Sequence, residues 1–280
     1  MNIQTLLNKA NKILVGSSSK SPKLDSEILL SETINTNRQY LILNSSKELI
    51  KENIKSFDNL LKRRKRGEPI AYLVKKKEFW KQNFYINKNV LIPRPDTELL
   101  VEETLKLFSI NSKLNILDIG TGSGCILLSI LKERRNFFGT GIDISKKAIN
   151  VARFNAKMHQ LSNRIEFYNS DVDNFNIGKY DIIVSNPPYI EMLNLKYLEN
   201  DVINFEPKLA LNGGIDGFSK IRKVIDKATV LIKKNGKLVL EIGFNQKNKV
   251  QEMLKKKGFY INKTIKDYGK KDRCIISTKI

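Results

Sequence analysis

The chain has 280 residues, 41% of them hydrophobic and 28% charged, which is the balance of a soluble globular protein with one large or two modest domains. No apolar run approaches the roughly 20 residues of a transmembrane helix, and the first residues lack the pattern of a signal peptide. The only two cysteines, Cys125 and Cys274, are far apart in the sequence and match no metal-binding spacing, which argues against a structural disulfide or a cysteine metal site. The single histidine, His159, argues against a histidine-based triad or a multi-histidine metal site. We expect a cytoplasmic protein without membrane anchor or metal, with buried free thiols and His159 on an exposed helix surface.

The formal net charge of +21 has two interpretations. A strongly basic protein favours a polyanionic partner, such as a ribosome-associated or nucleic-acid-associated substrate. Alternatively, lysine, asparagine and isoleucine are abundant throughout the chain, as codon bias in an AT-rich genome would produce. The lysines are spread along the whole sequence rather than gathered in one segment, so the charge by itself does not decide between the two.

Residues 1–66 carry apolar side chains at helical spacing and predict three helices. The third helix is expected to end in the basic run 62–66, followed by Gly67. Basic side chains complement the negative end of a helix, and glycine stops it. We therefore favour a structural explanation of this run over a nucleic-acid or targeting role, and we assign 1–75 to an N-terminal helical domain.

Residues 76–95 differ in character and predict a short β-hairpin that links two domains. Alternating apolar and aromatic residues surround the only tryptophan, Trp80. Pro93 and Pro95 then hold the chain extended before a helix with acidic residues in its first turn. The last domain is assigned to 96–280.

From Leu114 onward, predicted strands and helices alternate, which indicates an α/β domain with a parallel sheet. The predicted strands are 115–119, 137–142, 165–168, 180–184, 237–242, 260–265 and 273–277. The predicted helices are 125–132, 145–160, 220–233 and 246–257. The carboxyl ends of parallel strands form the edge at which ligands bind in open α/β sheets.

The first strand of this domain ends in a glycine-rich turn that predicts a cofactor site. Its residues are Gly120, Thr121, Gly122, Ser123 and Gly124. Glycines let the backbone approach a ligand closely, and the helix that follows offers its N–H groups. The spacing G-x-G-x-G differs from the G-x-G-x-x-G dinucleotide fingerprint.

Two carboxylates end the next two strands and narrow the choice of cofactor. Asp143 ends the second strand roughly 20 residues after the turn, where a carboxylate can accept both ribose hydroxyls. Asp171 ends the third strand and is placed to accept an adenine amino hydrogen. An adenosine without phosphates fits this pattern, so we predict S-adenosylmethionine. Asp118, just before the turn, could hold either the turn or the amino group of the cofactor.

The fourth strand of this domain runs into Ser185-Asn186-Pro187-Pro188-Tyr189. Two prolines cannot continue a central strand, because neither has an N–H to donate to the ladder. The chain must leave the sheet here, in a rigid loop that presents the Asn186 amide, bare carbonyl oxygens and the Tyr189 ring. Such a loop suits a substrate that donates hydrogen bonds from an NH2 group. We call 186–189 the acceptor loop.

With these motifs, the chain resembles class I methyltransferases that act on a planar amide or amino nitrogen. More narrowly, it is similar to the peptide chain release factor glutamine N5-methyltransferases, and the resemblance runs nearly end to end. The segments that carry it are 68–73, 78–80, 91–98, the glycine turn, the acceptor loop, 205–217 and 267–273.

The resemblance implies a seven-stranded, mostly parallel, Rossmann-like methyltransferase sheet with a small N-terminal helical bundle that helps to recognise the release factor. It implies that the glycine turn and Asp143 bind S-adenosylmethionine, and that the residue after Asp171, here Val172, packs on the adenine. Asn186 would contact both cofactor and substrate, and the whole acceptor loop, Pro188 included, would hold the glutamine of a Gly-Gly-Gln motif. The family often has glycine where Lys75 stands and an aromatic residue where Val172 stands.

From the residues we assign the catalytic positioning to Asn186, Pro187 and Tyr189. The resemblance implies a release factor as partner, and we expect a monomer without a stable nucleic-acid partner. The main alternative is a nucleic-acid methyltransferase acting on adenine N6 or guanine N2. Once 1–66 is assigned, however, no evident target-recognition domain remains for base flipping. A non-enzymatic cofactor-binding module is a further alternative, but it predicts an eroded acceptor loop, and this loop is intact.

Overall fold

The computed structural model describes residues 1–280 and divides the chain into two compact units. The first comprises Met1–Lys76 and Leu198–Phe205, and the second comprises Lys77–Tyr197 and Glu206–Ile280. The sequence assigns 198–205 to the last domain, whereas the contacts group this segment with the N-terminal unit. None of the helices combines the length and apolar character that crossing a membrane requires.

The N-terminal unit is a bundle of short helices around an apolar core. The helices are α1 (Ile3–Leu14), α2 (Pro22–Thr33), α3 (Arg38–Leu43), α4 (Lys51–Lys65) and α5 (Ile70–Leu73). Asn2 caps α1 by accepting a hydrogen bond from the Thr5 amide at 2.9 Å. The core contains Ile3, Leu6, Leu14, Leu29, Leu30, Phe57 and Leu61. The helical prediction for this part of the chain is confirmed, with two helices more than the sequence pattern predicted.

The basic run at the end of α4 contains a structural arginine. Arg64 is buried and donates a hydrogen bond to Asp25 at 2.7 Å, and its neighbour Arg63 pairs with Glu68. A buried arginine with a buried carboxylate partner is part of the packing rather than a free binding surface. These contacts support the structural explanation of the run.

Lys75 follows α5 in a conformation that glycine adopts more easily. Its φ angle is 53°, in the left-handed region that costs a side-chain-bearing residue about 1 kcal/mol or more. This is the position at which the resembled family often has glycine. The lysine therefore keeps the backbone geometry and accepts the strain.

The second unit begins at Lys77, inside the predicted hairpin, and continues with the α/β domain. Strands β1 (Lys76–Phe79) and β2 (Gln82–Tyr85) form a two-stranded sheet. The strands that follow are β3 (Asn115–Ile119), β4 (Phe138–Asp143), β5 (Ile165–Asn169), β6 (Tyr180–Ser185), β7 (Ile232–Glu241), β8 (Phe259–Lys266) and β9 (Asp272–Lys279). The helices are α6 (Glu98–Lys106), α7 (Cys125–Glu133), α8 (Lys146–Met158), α10 (Ser219–Leu231) and α11 (Lys247–Lys256). Helix α9 (Asn200–Phe205) lies in the segment grouped with the N-terminal unit.

Seven strands form one sheet in the order β5-β4-β3-β6-β7-β9-β8. The pairs from β5 to β7 are parallel, and β9 is antiparallel to both of its neighbours. Helices packed on such a sheet give strands that are buried on both faces, and β3 and β6 are accordingly almost wholly buried. The prediction of a seven-stranded, mostly parallel α/β sheet is confirmed.

The register of the central strands brings their carboxyl ends to one level. Paired residues at this level are Ile119, Ile142, Ser185 and Leu240. The residues that follow them leave at the same edge of the sheet: Gly120, Asp143, Asn186 and Glu241. The glycine turn, the first predicted carboxylate and the acceptor loop are therefore neighbours in space.

One expectation about a titratable residue was wrong. His159 is half-buried rather than exposed, because it ends α8 and its ring packs against Phe84 with the ring centres 4.8 Å apart. Burial lowers the pKa of this imidazole. Both cysteines are free and buried, as expected, and burial raises the pKa of the Cys125 thiol to about 12.

Candidate active site

An open cleft lies at the carboxyl edge of the sheet. The predicted site residues that line it are Gly120, Gly122, Asp143, Asp171, Val172, Asn186, Pro187 and Pro188. The predicted residues that are not part of its lining are Thr121, Ser123, Gly124 and Tyr189. The cleft thus joins residues expected at the cofactor with residues expected at the substrate.

The glycine turn leaves space for a ligand at one position and packs tightly at another. Gly120 has a φ of +77°, and a Cβ there would meet no atom within 4 Å, so the missing side chain leaves open room in the cleft. Gly124 has a φ of +80°, and a Cβ there would lie 3.0 Å from the Leu128 side chain. Gly124 therefore allows α7 to start close to the turn, which is a packing role.

Asp118 and Thr121 hold the turn from inside the protein. Asp118 is completely buried, and its Oδ2 accepts a hydrogen bond from the Thr121 hydroxyl at 2.8 Å. Of the two roles considered for Asp118, this contact supports the one that stabilises the turn. Burial raises the pKa of Asp118 to about 7, and the nearby Asp143 adds to the rise, while the Thr121 hydrogen bond opposes it.

We expect the Asp118→Asn variant to have a flatter pH dependence of stability than the wild type. The pKa of Asp118 is about 7 in the folded chain against an ordinary value of 3.8, so only the folded state keeps this proton between these values. The wild type should therefore lose stability as the pH rises from 3.8 to about 7, by up to about 4 kcal/mol at 1.36 kcal/mol per pKa unit. Urea unfolding of both proteins across this range measures the difference. Parallel curves would contradict the prediction.

Asp143 connects the glycine turn to the start of α8. Its Oδ2 accepts a hydrogen bond from the Gly122 amide at 2.9 Å, and its Oδ1 accepts one from the Ser145 amide at 2.8 Å. Each carboxylate oxygen has a second lone pair with which it can accept a further hydrogen bond. Asp143 also lines the cleft, so it remains the predicted acceptor for the ribose hydroxyls.

Asp171 and Val172 lie on the wall of the cleft beside α10. Asp171 accepts a hydrogen bond from the Asp173 amide at 3.0 Å, and its Oδ1 lies 4.0 Å from Lys223 Nζ. Val172 is partly buried against the core and lines the cleft together with Val224. Apolar walls between two carboxylates fit an adenosine, so the residues present are suited to S-adenosylmethionine.

The acceptor loop is held by side chains from distant parts of the chain. Asn186 Nδ2 donates a hydrogen bond to the Thr97 hydroxyl oxygen at 3.1 Å. Tyr189 Oη accepts a hydrogen bond from Arg273 at 3.3 Å and donates one to Glu241 at 3.4 Å. Gln246 donates to the backbone oxygen of Tyr189 at 3.1 Å. The Tyr189 ring packs against the core of the sheet, so this side chain supports the loop from behind.

Sequence reasoning missed several of these residues. Glu241 is the last residue of β7 and thus a carboxylate at a strand end, which is the signal that identified Asp143 and Asp171. The predicted strand continued to Ile242, so the signal was not applied to Glu241. Thr97 carries no local signal of its own. The cleft is also lined by Asn89, Leu91, Ser145, Pro207, Leu209, Lys220 and Lys223. The segment with Pro207 and Leu209 is anchored by Glu206, which accepts hydrogen bonds from the Ile92 amide at 3.1 Å and from Arg94 at 2.5 Å.

Comparison with known proteins defines the class. Residues 110–275 match the family described as methyltransferase domain, and residues 5–74 match the PrmC N-terminal domain. A methyltransferase from Pyrococcus furiosus superposes with a TM-score of 0.52 at 22% identity, covering 70% of this chain and 88% of that one. The ribosomal protein L11 methylase from Lactobacillus delbrueckii subsp. bulgaricus gives a TM-score of 0.51 at 18% identity, with coverages of 67% and 81%. The fold and the cleft are those of an S-adenosylmethionine-dependent methyltransferase.

Sequence relatives narrow the class to a family. The release factor glutamine methyltransferase of Buchnera aphidicola subsp. Schizaphis graminum is 39% identical over 279 residues, with full coverage of both chains. That of Clostridium acetobutylicum is 36% identical, covering 100% of this chain and 99% of the relative. The chain belongs to the release factor glutamine methyltransferase family. It also spans 54% of the bifunctional methyltransferase of Rickettsia bellii, at 36% identity.

Proposed function

We propose that this protein transfers a methyl group from S-adenosylmethionine to the side-chain amide nitrogen, N5, of the glutamine in the Gly-Gly-Gln motif of peptide chain release factors. The observation that carries the proposal is the acceptor loop at the mouth of the cofactor cleft. With Asn186 Nδ2 donating to Thr97, the amide oxygen Oδ1 is left to accept a hydrogen bond from a substrate. The names of the full-length relatives support the choice of substrate.

The chemical difficulty is that an amide nitrogen is a poor nucleophile, because its lone pair is delocalised into the carbonyl group. Bound S-adenosylmethionine supplies an electrophilic methyl group on a sulfonium. The Asn186 side-chain oxygen and the Pro187 carbonyl each accept one hydrogen of the substrate NH2 group. Both hydrogens are then held to one side, and the lone pair is aimed into the cofactor cleft. Positioning of this kind supplies most of the catalysis.

Charge also develops on the nitrogen as the methyl group arrives. The two oxygen acceptors of the loop stabilise that positive charge. No strong base is needed before transfer, because a methylated, positively charged amide nitrogen loses its proton readily. Pro188 keeps the loop rigid, and Tyr189, held by Arg273 and Glu241, keeps the loop against the sheet.

The proposal also covers the oligomeric state of the protein, its location and the role of its N-terminal unit. The protein acts as a monomer in the cytoplasm, where release factors work, and the N-terminal unit contributes to their recognition. Light scattering during gel filtration of the protein, alone and mixed with a release factor, measures both the oligomeric state and the complex. A stable dimer of the protein alone would contradict the first part.

Mass spectrometry of a release factor incubated with the protein and S-adenosylmethionine tests the reaction. We expect the glutamine of the Gly-Gly-Gln peptide to gain the mass of one methylene group. A release factor with that glutamine replaced by alanine is the matched control and should stay unmodified. An RNA sample treated in parallel covers the nucleic-acid alternative. Methylation of the RNA with an unmodified release factor would overturn the proposal.

A further inference from the structure

Glu241 is a buried carboxyl group that the mechanism above leaves without a chemical role of its own. Its side chain is 2% exposed at the carboxyl end of β7, at the level of the acceptor loop. One of its oxygens, Oε1, accepts the Tyr189 hydroxyl at 3.4 Å. The other, Oε2, is buried with no hydrogen-bond partner at ordinary geometry. A buried polar atom without a partner is unusual and calls for an explanation.

The groups around Glu241 come from three elements. The Thr97 hydroxyl, Arg273 on β9 and the Tyr189 hydroxyl each favour the charged form of the Glu241 carboxyl group. The nearby Asp96 disfavours that charged form. Burial is the largest influence and raises the pKa of Glu241 to about 7. Well above that pKa, Glu241 is a carboxylate, which can only accept hydrogen bonds.

The direction of the hydrogen bonds then follows from donor and acceptor counting. A threonine hydroxyl has one proton to donate and also accepts. If its proton points to Glu241, the Thr97 oxygen can only accept from Asn186, which it does at 3.1 Å. Asn186 must then turn its NH2 group inward and its oxygen toward the substrate. If the Thr97 proton pointed to Asn186 instead, the amide would reverse and present NH2 to a substrate that also donates.

We propose that Glu241 is a positioning residue that sets the polarity of Asn186 through Thr97, so that the acceptor loop offers an oxygen rather than an NH2 group. The inference rests on the proposed function, because polarity matters only for a substrate that donates hydrogens. In this arrangement the Thr97 proton points to the Glu241 carboxylate, whose Oε2 has no other partner. The same carboxylate, through Oε1, holds Tyr189, so one buried group orients both ends of the loop.

The test compares substitutions at Thr97 and Glu241, with steady-state kinetics measured well above the Glu241 pKa. Thr97→Val removes the hydroxyl, and Thr97→Ser restores it. Glu241→Gln has nearly the same shape but can donate, which allows the chain of hydrogen bonds to reverse. Thr104→Val is the matched control. Thr104 is also buried, but it lies on α6 away from the cleft, so the substitution makes the same chemical change without touching the site.

We expect Thr97→Val and Glu241→Gln each to lower kcat about tenfold to a hundredfold, as the loss of an oriented hydrogen bond predicts. The KM for release factor and the Kd for S-adenosylmethionine should change by less than about threefold, because the positioning affects the reacting amide rather than the remaining contacts. Thr97→Ser and Thr104→Val should keep wild-type kcat within about threefold. The double variant Thr97→Val/Glu241→Gln should have a kcat within about threefold of the slower single variant. Both substitutions act through the same chain of hydrogen bonds, so their effects should not add.

Several results would overturn the inference. The first is a Thr97→Val variant that turns over as fast as Thr97→Ser. The second is a double variant in which the kcat losses of the two single variants multiply. The third is a set of variants that change KM for the release factor but not kcat. If Glu241→Gln does not fold, the Thr97 pair still decides. A wild-type protein that leaves the release factor unmethylated would refute the proposed function, whereas an active wild type with a fully active Thr97→Val variant would refute only the role of Glu241.

Discussion

Replacing Asn186 by alanine is expected to lower kcat for release factor methylation by about a thousandfold or more, because positioning and acceptor contributions are lost together. The substitution removes the amide oxygen that accepts a substrate hydrogen and frees Thr97 from its partner at 3.1 Å. The glycine turn and Asp143 are untouched, so S-adenosylmethionine should still bind measurably. Single-turnover methylation assays and calorimetric titration with S-adenosylmethionine separate the two effects.

Asn262→Ala is the matched control for this prediction. Asn262 lies on β8, at the edge of the sheet, where its side-chain oxygen accepts the Thr278 hydroxyl at 2.6 Å. The same atoms are deleted, but far along the sheet from the strand that carries the acceptor loop. Turnover by Asn262→Ala should be normal. Near-normal turnover by Asn186→Ala would contradict the mechanism, because no other side chain of the acceptor loop supplies an amide oxygen.

Replacing Asp143 by alanine should weaken S-adenosylmethionine binding by at least about a hundredfold, since two hydrogen bonds to a charged group are worth roughly 3 kcal/mol or more. The loss has two physical sources. The ribose hydroxyls lose their acceptor, and the amides of Gly122 and Ser145, at 2.9 and 2.8 Å, lose theirs, so the turn is less ordered before binding. Asp143→Asn keeps one acceptor oxygen and should show a smaller loss. Calorimetry or equilibrium dialysis measures both.

Asp181→Ala is the matched control for Asp143. Asp181 also accepts a hydrogen bond from a backbone amide, that of Asn115 at 2.8 Å, but it lies near the start of β6, away from the carboxyl edge. This variant should bind S-adenosylmethionine within about twofold of the wild type, as expected for a change outside the site. Equal losses in Asp143→Ala and Asp181→Ala would show that general destabilisation, rather than the cleft, determines the affinity.

Much of the site could be predicted from the sequence because its main parts lie at or shortly after the carboxyl ends of strands. A strand buried on both faces is an apolar run, and the polar residue after it marks the carboxyl edge of the sheet. Gly120 and Asn186 directly follow buried strands, Asp143 is the last residue of β4, and Asp171 comes two residues after β5. All four line the cleft. The proline pair was informative for a related reason, since a residue without an N–H must leave the ladder.

The parts that were missed depend on contacts between residues far apart in the chain. Thr97, Glu241 and Arg273 support the acceptor loop from a turn before α6 and from two later strands, and no local pattern pairs them with Asn186 or Tyr189. Hydrogen-bond partners of this kind are set by how elements pack, which periodicity does not encode.

The sequence by itself determined the fold class, the order of strand ends that carry the cofactor residues, and the acceptor loop that meets the substrate. These follow from local rules of hydrogen bonding and apolar periodicity. Only the tertiary structure decided the state and direction of the groups behind them. Burial raises the pKa values of Asp118 and Glu241 to about 7, and burial is a property of packing rather than of a residue's neighbours in sequence. The direction in which Asn186 presents its amide is likewise set by Thr97, 89 positions earlier in the chain.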